Sequence, residues 1–308
     1  MGPRLTVVVN VYDMRREAPR TLHSLTPAYQ GVDPDDYEVL VVDNGSPTPL
    51  DPAMVASFGP NFRHLSFEPE WPSPSAALNH AVAQGSGERV MLCIDGARIL
   101  SPGILRTTEQ AFRAFDNPFV YTLGMHLGHR VQNEAIAAGW TTADEDALLG
   151  SVPWEQDGYE LYRIATVAPS SKEGFFSDLA ESNCVALSRA QYERMGGYDE
   201  AFRSPGGGLV NLDVMNRARL DPTVDPVMLL GEATFHQMHG GVATNSARNP
   251  DEVHPFGAFA AEYERIRGVP YETVARRPHF LGTLPPQCDL LPPRFRLPGE
   301  SDGAGGSG

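Results

Sequence analysis

Positive charge is scarce in this chain. Its 308 residues carry 24 lysines and arginines against 39 aspartates and glutamates, a formal net charge of -15. That balance excludes nucleic acid and anionic membrane as primary partners, since both require a basic surface. An anionic small molecule stays open, because a local site can differ from the average. Cysteine is scarcer still. Cys93, Cys184 and Cys288 are the whole complement, without CxxC spacing, so neither a disulfide framework nor a zinc cluster is expected. Cys93 and Cys184 lie in apolar runs and read as small buried hydrophobes. A reducing compartment follows, and a cytoplasmic location is the expectation. No stretch approaches the ~20 apolar residues that span a bilayer. The opening MGPRLTVVVNVYD lacks a cleavage site and reads as a strand, not a signal peptide. No integral membrane segment and no internal repeat are expected. Hydrophobic residues at 41% and charged residues at 20% are ordinary for a globular protein. The length allows one large α/β domain with an extension.

What is there begins with YEVLVVDNGSP, Tyr37 to Pro47. A short apolar run rich in β-branched residues, closed by Asn-Gly-Ser-Pro, reads as a central parallel strand. It ends on Asp43, where open α/β sheets bind ligands. An ordinary strand followed by an Asx turn is the plainer alternative. Leu5 to Val11 is a similar run, and Arg16 to Leu25 between them reads as a helix with Pro19 in its first turn. Strand, helix, strand makes a βαβ unit with a right-handed crossover.

The pattern repeats downstream. Strands are expected at Phe62–Phe67, Arg89–Ile94, Phe119–Met125, Glu181–Leu187 and Val227–Leu230, and helices at Pro74–Gln84, Gly103–Phe115, Ser188–Met195, Val210–Leu220 and Phe256–Ile266. Arg89–Ile94 also ends on a carboxylate, Asp95. Residues 128–172 read as an irregular insert. The expected fold class is α/β, a mixed, mainly parallel sheet flanked by helices in a Rossmann-like arrangement. The expected division is a main domain over 1–245, a proline-rich extension over 246–298 packed on it, and a flexible tail over 299–308.

The order of these features resembles the family 2 glycosyltransferases, which have the GT-A fold. The resemblance spans about Leu5 to Gly241. It rests on VVVNVYDMRREAPRTLHSL, the VVDNGS turn, LNHAVAQGSGERVMLCIDGA, SNCVALSRAQYERMGGYDEAF and the helix start GGLVNLDVMNRA. It implies transfer of a sugar from a nucleotide-diphosphate donor to an acceptor hydroxyl on a glycan or small molecule. It sets Val9, Asn10, Tyr12, Asp43, Asp95 and Gly96 around the nucleotide, with Asp43 able to accept an imide N–H of the base. Asp95 matches the first acid of the family's Asp-X-Asp signature, near the ribose and a divalent metal, Mn or Mg. A later histidine of the family completes that metal site, and FHQMHGG offers His236 and His239 there. The plainer reading makes one histidine buried and hydrogen-bonded and the other solvated.

Two positions depart from the family pattern. The second metal-ligating acid is replaced by Ala97, followed by Arg98. The family's catalytic aspartate falls on Asn211, which cannot take a proton. Asp213, Glu232 and Glu181 remain as bases, although Asp213 to Arg217 is also helix ion-pair spacing. These departures keep open a weakened GT-A domain that binds nucleotide sugar or glycan without turnover. A nucleotidyltransferase is the lesser alternative, since the chain lacks the Gly-rich N-terminal loop with following Arg and Lys. Gly206–Gly208 read as a mobile loop or a close-approach site. Trp154, Tyr159 and Tyr162 read mainly as core, with an acceptor platform as the alternative. Arg130 and Lys172 read as solvated surface.

Overall fold

The computed structural model describes residues 2–177, 179–240 and 256–290. Ten strands make one sheet: β1 (Leu5–Val11), β2 (Tyr37–Asn44), β3 (Phe62–Phe67), β4 (Arg89–Cys93), β5 (Arg98–Leu100), β6 (Pro118–Leu127), β7 (Ala165–Val167), β8 (Cys184–Ser188), β9 (Asp225–His236) and β10 (His279–Gly282). The helices are α1 (Ala18–His23), α2 (Pro27–Gln30), α3 (Pro52–Ala56), α4 (Ser75–Gln84), α5 (Ile104–Ala114), α6 (Gln132–Ala137), α7 (Thr142–Leu149), α8 (Arg189–Arg194), α9 (Val210–Leu220) and α10 (Phe256–Arg267). The strand order is β10-β9-β6-β8-β4-β1-β2-β3, with β5 on β9 and β7 on β6. β3, β2, β1 and β4 run parallel. β8 is antiparallel to both its neighbours, and β6, β9 and β10 are again parallel.

The valine-rich runs occupy the middle of this sheet because both of its faces are covered. Val8 and Val42 point into one apolar cluster. Val7, Val9, Val39 and Val41 point into the other. Alternate side chains of one strand therefore feed two cores, so the strand is apolar at successive positions. The parallel direction then carries the ends of β1, β2 and β4 to one edge of the sheet, with Asn10, Asp43 and Asp95 along it.

The later strands differ more from expectation. β9 is a 12-residue strand, longer than the Val227–Leu230 segment. It continues through Glu232 because that buried carboxylate is satisfied by Ser101 Oγ, Gly103 N and Tyr159 Oη. The short strands β5 and β7 were not foreseen, since three residues are too few to show a period. The expected strand Glu181–Leu187 starts later, at Cys184, which leaves Glu181 in the loop before it. The described part of the extension packs on the main domain through Phe259 and Tyr263 of α10, both buried. It also adds β10 to the sheet edge. The expected boundary at 245 and the tail over 299–308 lie outside the described residues. No helix among the described residues is long and apolar enough to cross a membrane.

Candidate active site

Asp95 stands just beyond β4, where the chain turns into β5. The antiparallel pairing of β5 with β9 sets Arg98 opposite His236. His236 Nε2 lies 3.0 Å from Asp95 Oδ2, and His239 Nε2 lies 3.6 Å from Asp95 Oδ1. The two imidazole nitrogens are 3.0 Å apart. One carboxylate oxygen and two nitrogens thus fall within 4.8 Å of one another. Arg98 Nε donates to Asp95 Oδ2 at 3.1 Å, and the Ala97 backbone N–H donates to Oδ1 at 3.0 Å.

The electrostatics of the cluster follow from burial. Burial opposes ionisation of Asp95, but His239 and His236 beside it hold its carboxyl well below the usual range. Burial, aided by the Arg98 cation, pulls His236 down to about 4, so its ring is neutral at pH 7. For His239 burial works the other way from Asp95, and Asp95 wins, raising it. A neutral imidazole, a second imidazole and a carboxylate are ligand types for a divalent ion. His236 Nδ1 is buried with no hydrogen-bond partner, as is Arg98 Nη1. One ligand atom from each of Asp95, His236 and His239 lies within 4.8 Å of the others, and these residues fit a metal.

Ala97 gains a structural reason here. Its methyl is fully buried in the apolar cluster behind β4, and its carbonyl accepts from Gln237 N at 2.8 Å. A carboxylate at this position would be driven into that core. Gly96 is confined as well, since a Cβ there would meet Asn10 O at 2.6 Å.

The rest of the expected nucleotide set lies along the same edge. β1 separates β4 from β2, so Asp43 sits on the order of 10 Å from Asp95, two strand spacings away. Asp43 is 3% exposed. Its oxygens accept from Ser46 N at 2.9 Å and Leu50 N at 3.0 Å, the turn-holding role of an Asx residue. Asn10 Nδ2 donates to Ile94 O, and its Oδ1 is buried without a partner. Tyr12 is half exposed. Val9 corrects the expectation. Its side chain is fully buried in the apolar cluster, and its backbone lies in the ladder between β2 and β4.

The carboxylates proposed as bases part company. Asp213 has 1% side-chain exposure and is gripped by Arg217 Nε at 2.7 Å and by Arg267 Nε at 2.6 Å. Arg267 Nη2 adds a bond at 2.8 Å. That is an anchor between α9 and α10, and the expectation of Asp213 as base is corrected accordingly. Glu232 is four residues before His236 on β9, roughly 13 Å along the strand. With all its oxygens engaged as described, it too is corrected, to a brace for the β5–α5 turn. Asn211 Nδ2 donates to Ser182 O at 2.8 Å and approaches Glu181 Oε2 at 3.5 Å.

The weaker readings hold. Trp154 and Tyr162 are buried, and the Tyr159 hydroxyl is committed to Glu232. Arg130 and Lys172 are exposed. Sequence reasoning missed the lashing of the histidine segment. Arg16 donates to Glu145, Asp146 and Met238 O, while Glu145 Oε2 accepts from Met238 N. This ties the loop after β1 and α7 to the residue before His239. The acidic ADEDA run of the insert was the available signal. A cavity of about 360 Å³ is lined by Asn79, Tyr198, Asp199, Glu200, Arg217 and Arg267, and neither Asp43 nor Asp95 reaches it.

Comparisons with known proteins point to one family. The family model described as glycosyl transferase family 2 matches residues 6–162. The validoxylamine A glucosyltransferase of Streptomyces hygroscopicus subsp. limoneus is 25% identical over 94% of this chain and 68% of its own length. Solved structures of S. aureus TarS 1–349 are also similar. The complex with UDP-GlcNAc has a TM-score of 0.52 at 15% identity, covering 85% of this chain and 66% of that one. The complex with UDP has a TM-score of 0.51 at 14% identity, covering 76% and 60%. The chain thus spans no more than about two thirds of those structures, which at such identity speak for the fold alone.

Proposed function

The chain belongs to glycosyl transferase family 2, its family model covering residues 6–162, and on that premise we propose that it moves a sugar from a nucleoside-diphosphate donor to the hydroxyl of a glycan or small-molecule acceptor. The observation that carries the proposal is the Asp95–His236–His239 cluster on the same sheet edge as Asn10 and Asp43. Asn10, with an unpartnered buried Oδ1, is suited to accept from a base or ribose. Asp43 supports the base pocket by holding the 44–50 turn. Gly96, closed in by the Asn10 carbonyl and the Val11 side chain, holds the β4–β5 turn against β1 and so sets where Asp95 stands.

Asp95, His236 and His239 would hold a divalent cation, and two imidazoles with one carboxylate suit Mn more than Mg. When bound, such an ion offsets the diphosphate charge that grows as the glycosidic phosphate bond breaks. Arg98 lies beside it, its Nε on Asp95, and its fixed positive charge offsets part of the diphosphate charge. That local cation answers the acidity of the chain as a whole. Transfer breaks the bond between the anomeric carbon and the diphosphate oxygen, forms one to the acceptor oxygen, and releases the acceptor proton to a base. The proposal includes a cytoplasmic site of action, supported by three buried free thiols.

The test has two stages. Calorimetric titration with UDP and GDP, with and without Mn2+, is expected to show metal-strengthened binding of one of them. Release of that nucleoside diphosphate from its glucose, N-acetylglucosamine or mannose conjugate, with a panel of sugar and cyclitol acceptors, is expected next. Binding without release across the panel would favour a non-catalytic nucleotide-sugar binder. Absence of binding would reject the site.

A further inference from the structure

Glu181 is a half-buried carboxylate near the reacting edge whose side chain no ion pair engages among the described residues, and we infer that it is the general base of the transfer. The inference rests on the sugar-transfer reading above. Four observations carry it. Cys93 pairs with Cys184 across the antiparallel β4–β8 ladder. Asp95 lies two residues beyond Cys93 and Glu181 three residues before Cys184, so both stand beyond the same end of the β4–β8 pair. Glu181 therefore lies at the same edge of the sheet as the Asp95 cluster, on the order of 10 Å away.

Glu181 is also held but not consumed. Its side chain is half-buried, and its one hydrogen-bond partner among the described residues is Asn211 Nδ2 at 3.5 Å, a long and weak contact. Asn211 is itself fixed from both sides. Its Nδ2 donates to Ser182 O at 2.8 Å, and its Oδ1 accepts from Tyr198 Oη at 3.3 Å. Ser182 is locked in turn by Thr122, whose N–H donates to its Oγ while its carbonyl accepts from that hydroxyl. The loop carrying Glu181 is thus pinned on its C-terminal side. An amide at position 211 orients the neighbouring carboxylate and leaves its lone pairs for a substrate hydroxyl.

The other acids offered as bases, and several near them, lack that freedom. Asp213 is saturated by two guanidinium groups. Glu232 is filled by three donors at the far part of β9. Asp95 belongs to the histidine cluster. Asp199 is paired with Arg267. Glu262 holds Arg203 N and Ser204 N.

In the step so assigned, an acceptor oxygen forms its bond to the anomeric carbon as the carbon–phosphate oxygen bond breaks. The electron pair leaves with the nucleoside diphosphate, and the acceptor proton passes to a Glu181 oxygen. Attack from the face opposite the leaving group inverts the anomeric centre.

The experiment compares wild type with Glu181→Gln on the donor identified by nucleotide release, using product NMR for stereochemistry. The expected result is a fall in kcat of about 100-fold or more, nucleoside diphosphate affinity within about twofold of wild type, and an inverted product. Asn211→Asp in the Glu181→Gln background is expected to regain part of the rate, since it restores a carboxylate beside the same position. A Glu181→Gln enzyme turning over within threefold of about wild-type rate would overturn the inference, as would a product of retained configuration. So would a parallel loss of nucleotide affinity, which marks a binding or structural role. A wild-type protein that binds nucleotide and releases none would overturn the sugar-transfer reading itself, and this inference with it. Thermal melting of each variant separates loss of rate from loss of fold.

Discussion

Replacing Asp213 by Asn separates an anchor from a base. The carboxylate holds α9 against α10, accepting from Arg217 on one side and Arg267 on the other. Asn keeps the shape but loses the charge, and it presents an N–H2 group to a guanidinium. Two arginines then face each other without their counter-ion, although Arg267 keeps Asp199 at 2.7 Å. Breaking a fully buried ion pair costs about 3–5 kcal/mol. Here the arginines are 22% and 25% exposed, so water screens part of the damage and about 2–3 kcal/mol is the better figure. For a domain of this size that lowers Tm by about 4–12 °C. Differential scanning calorimetry reads the shift, and nucleotide release reads activity at a temperature where the variant is folded. The expected pattern is a lower Tm with kcat within a few-fold of wild type. An unchanged Tm together with a collapse of kcat would refute the anchor and return the base role to Asp213. The cycle with Arg267→Gln adds a check, since partners in one network couple by about 0.5–3 kcal/mol and independent sites do not.

Three further outcomes follow from the same contacts. His239→Ala should weaken Mn2+ binding at least about tenfold by calorimetry, and equal affinity in variant and wild type would remove His239 from the metal set. Glu232 is raised by burial above its ordinary value of 4.5, so its contribution is fully present below about pH 4.5 and is lost as pH rises through the folded value. Glu232→Gln should therefore gain on wild type in urea midpoint as pH rises above about 4.5, and a parallel pair of pH curves would contradict the shift. Asp43→Ala frees the N–H groups of Ser46 and Leu50 and should cost about 1–3 kcal/mol while weakening nucleotide binding through the displaced turn. Weakened binding with no loss of stability would instead mean direct contact with the base.

The sheet's first half was legible because its physics is local. A parallel strand covered on both faces must be apolar at successive positions, and β1, β2 and β4 say so in their own residues. Their shared direction then fixes Asn10, Asp43 and Asp95 at one edge without further information. β9 was cut short because Glu232 looks like the end of an apolar strand. Its partners Ser101 and Tyr159 are 131 and 73 residues away in sequence, so nothing nearby announces that the charge is satisfied. The same limit hid the anchor role of Asp213. The i,i+4 spacing to Arg217 was visible, but the second guanidinium comes from α10, 54 residues on. Ala97 was read as a defect for a related reason. Only the fold shows that its side chain faces the core while its N–H serves Asp95.

That last point bears on how the site handles charge. A site with two acids would ask a cation to neutralise both before any diphosphate arrives. This one offers a single carboxylate, already shared among Arg98, His236 and His239. Its formal balance is therefore nearer to neutral before a metal binds. Arg98 matters most in that arithmetic, because its charge persists at every working pH and its Nη1 lies buried without a partner. A metal held there would add a second cationic contribution to a diphosphate, beside that of the guanidinium. Arg98→Gln should accordingly weaken nucleoside diphosphate binding in the absence of metal, and make the remaining binding more metal-dependent. Losing one charge-assisted hydrogen bond of this kind costs about 1.5–3 kcal/mol, which is roughly a 10- to 150-fold rise in Kd. Calorimetric titration with EDTA present reads it directly. If Kd without metal is the same for Arg98→Gln and wild type, the guanidinium serves only to position Asp95, and the diphosphate depends on the ion alone.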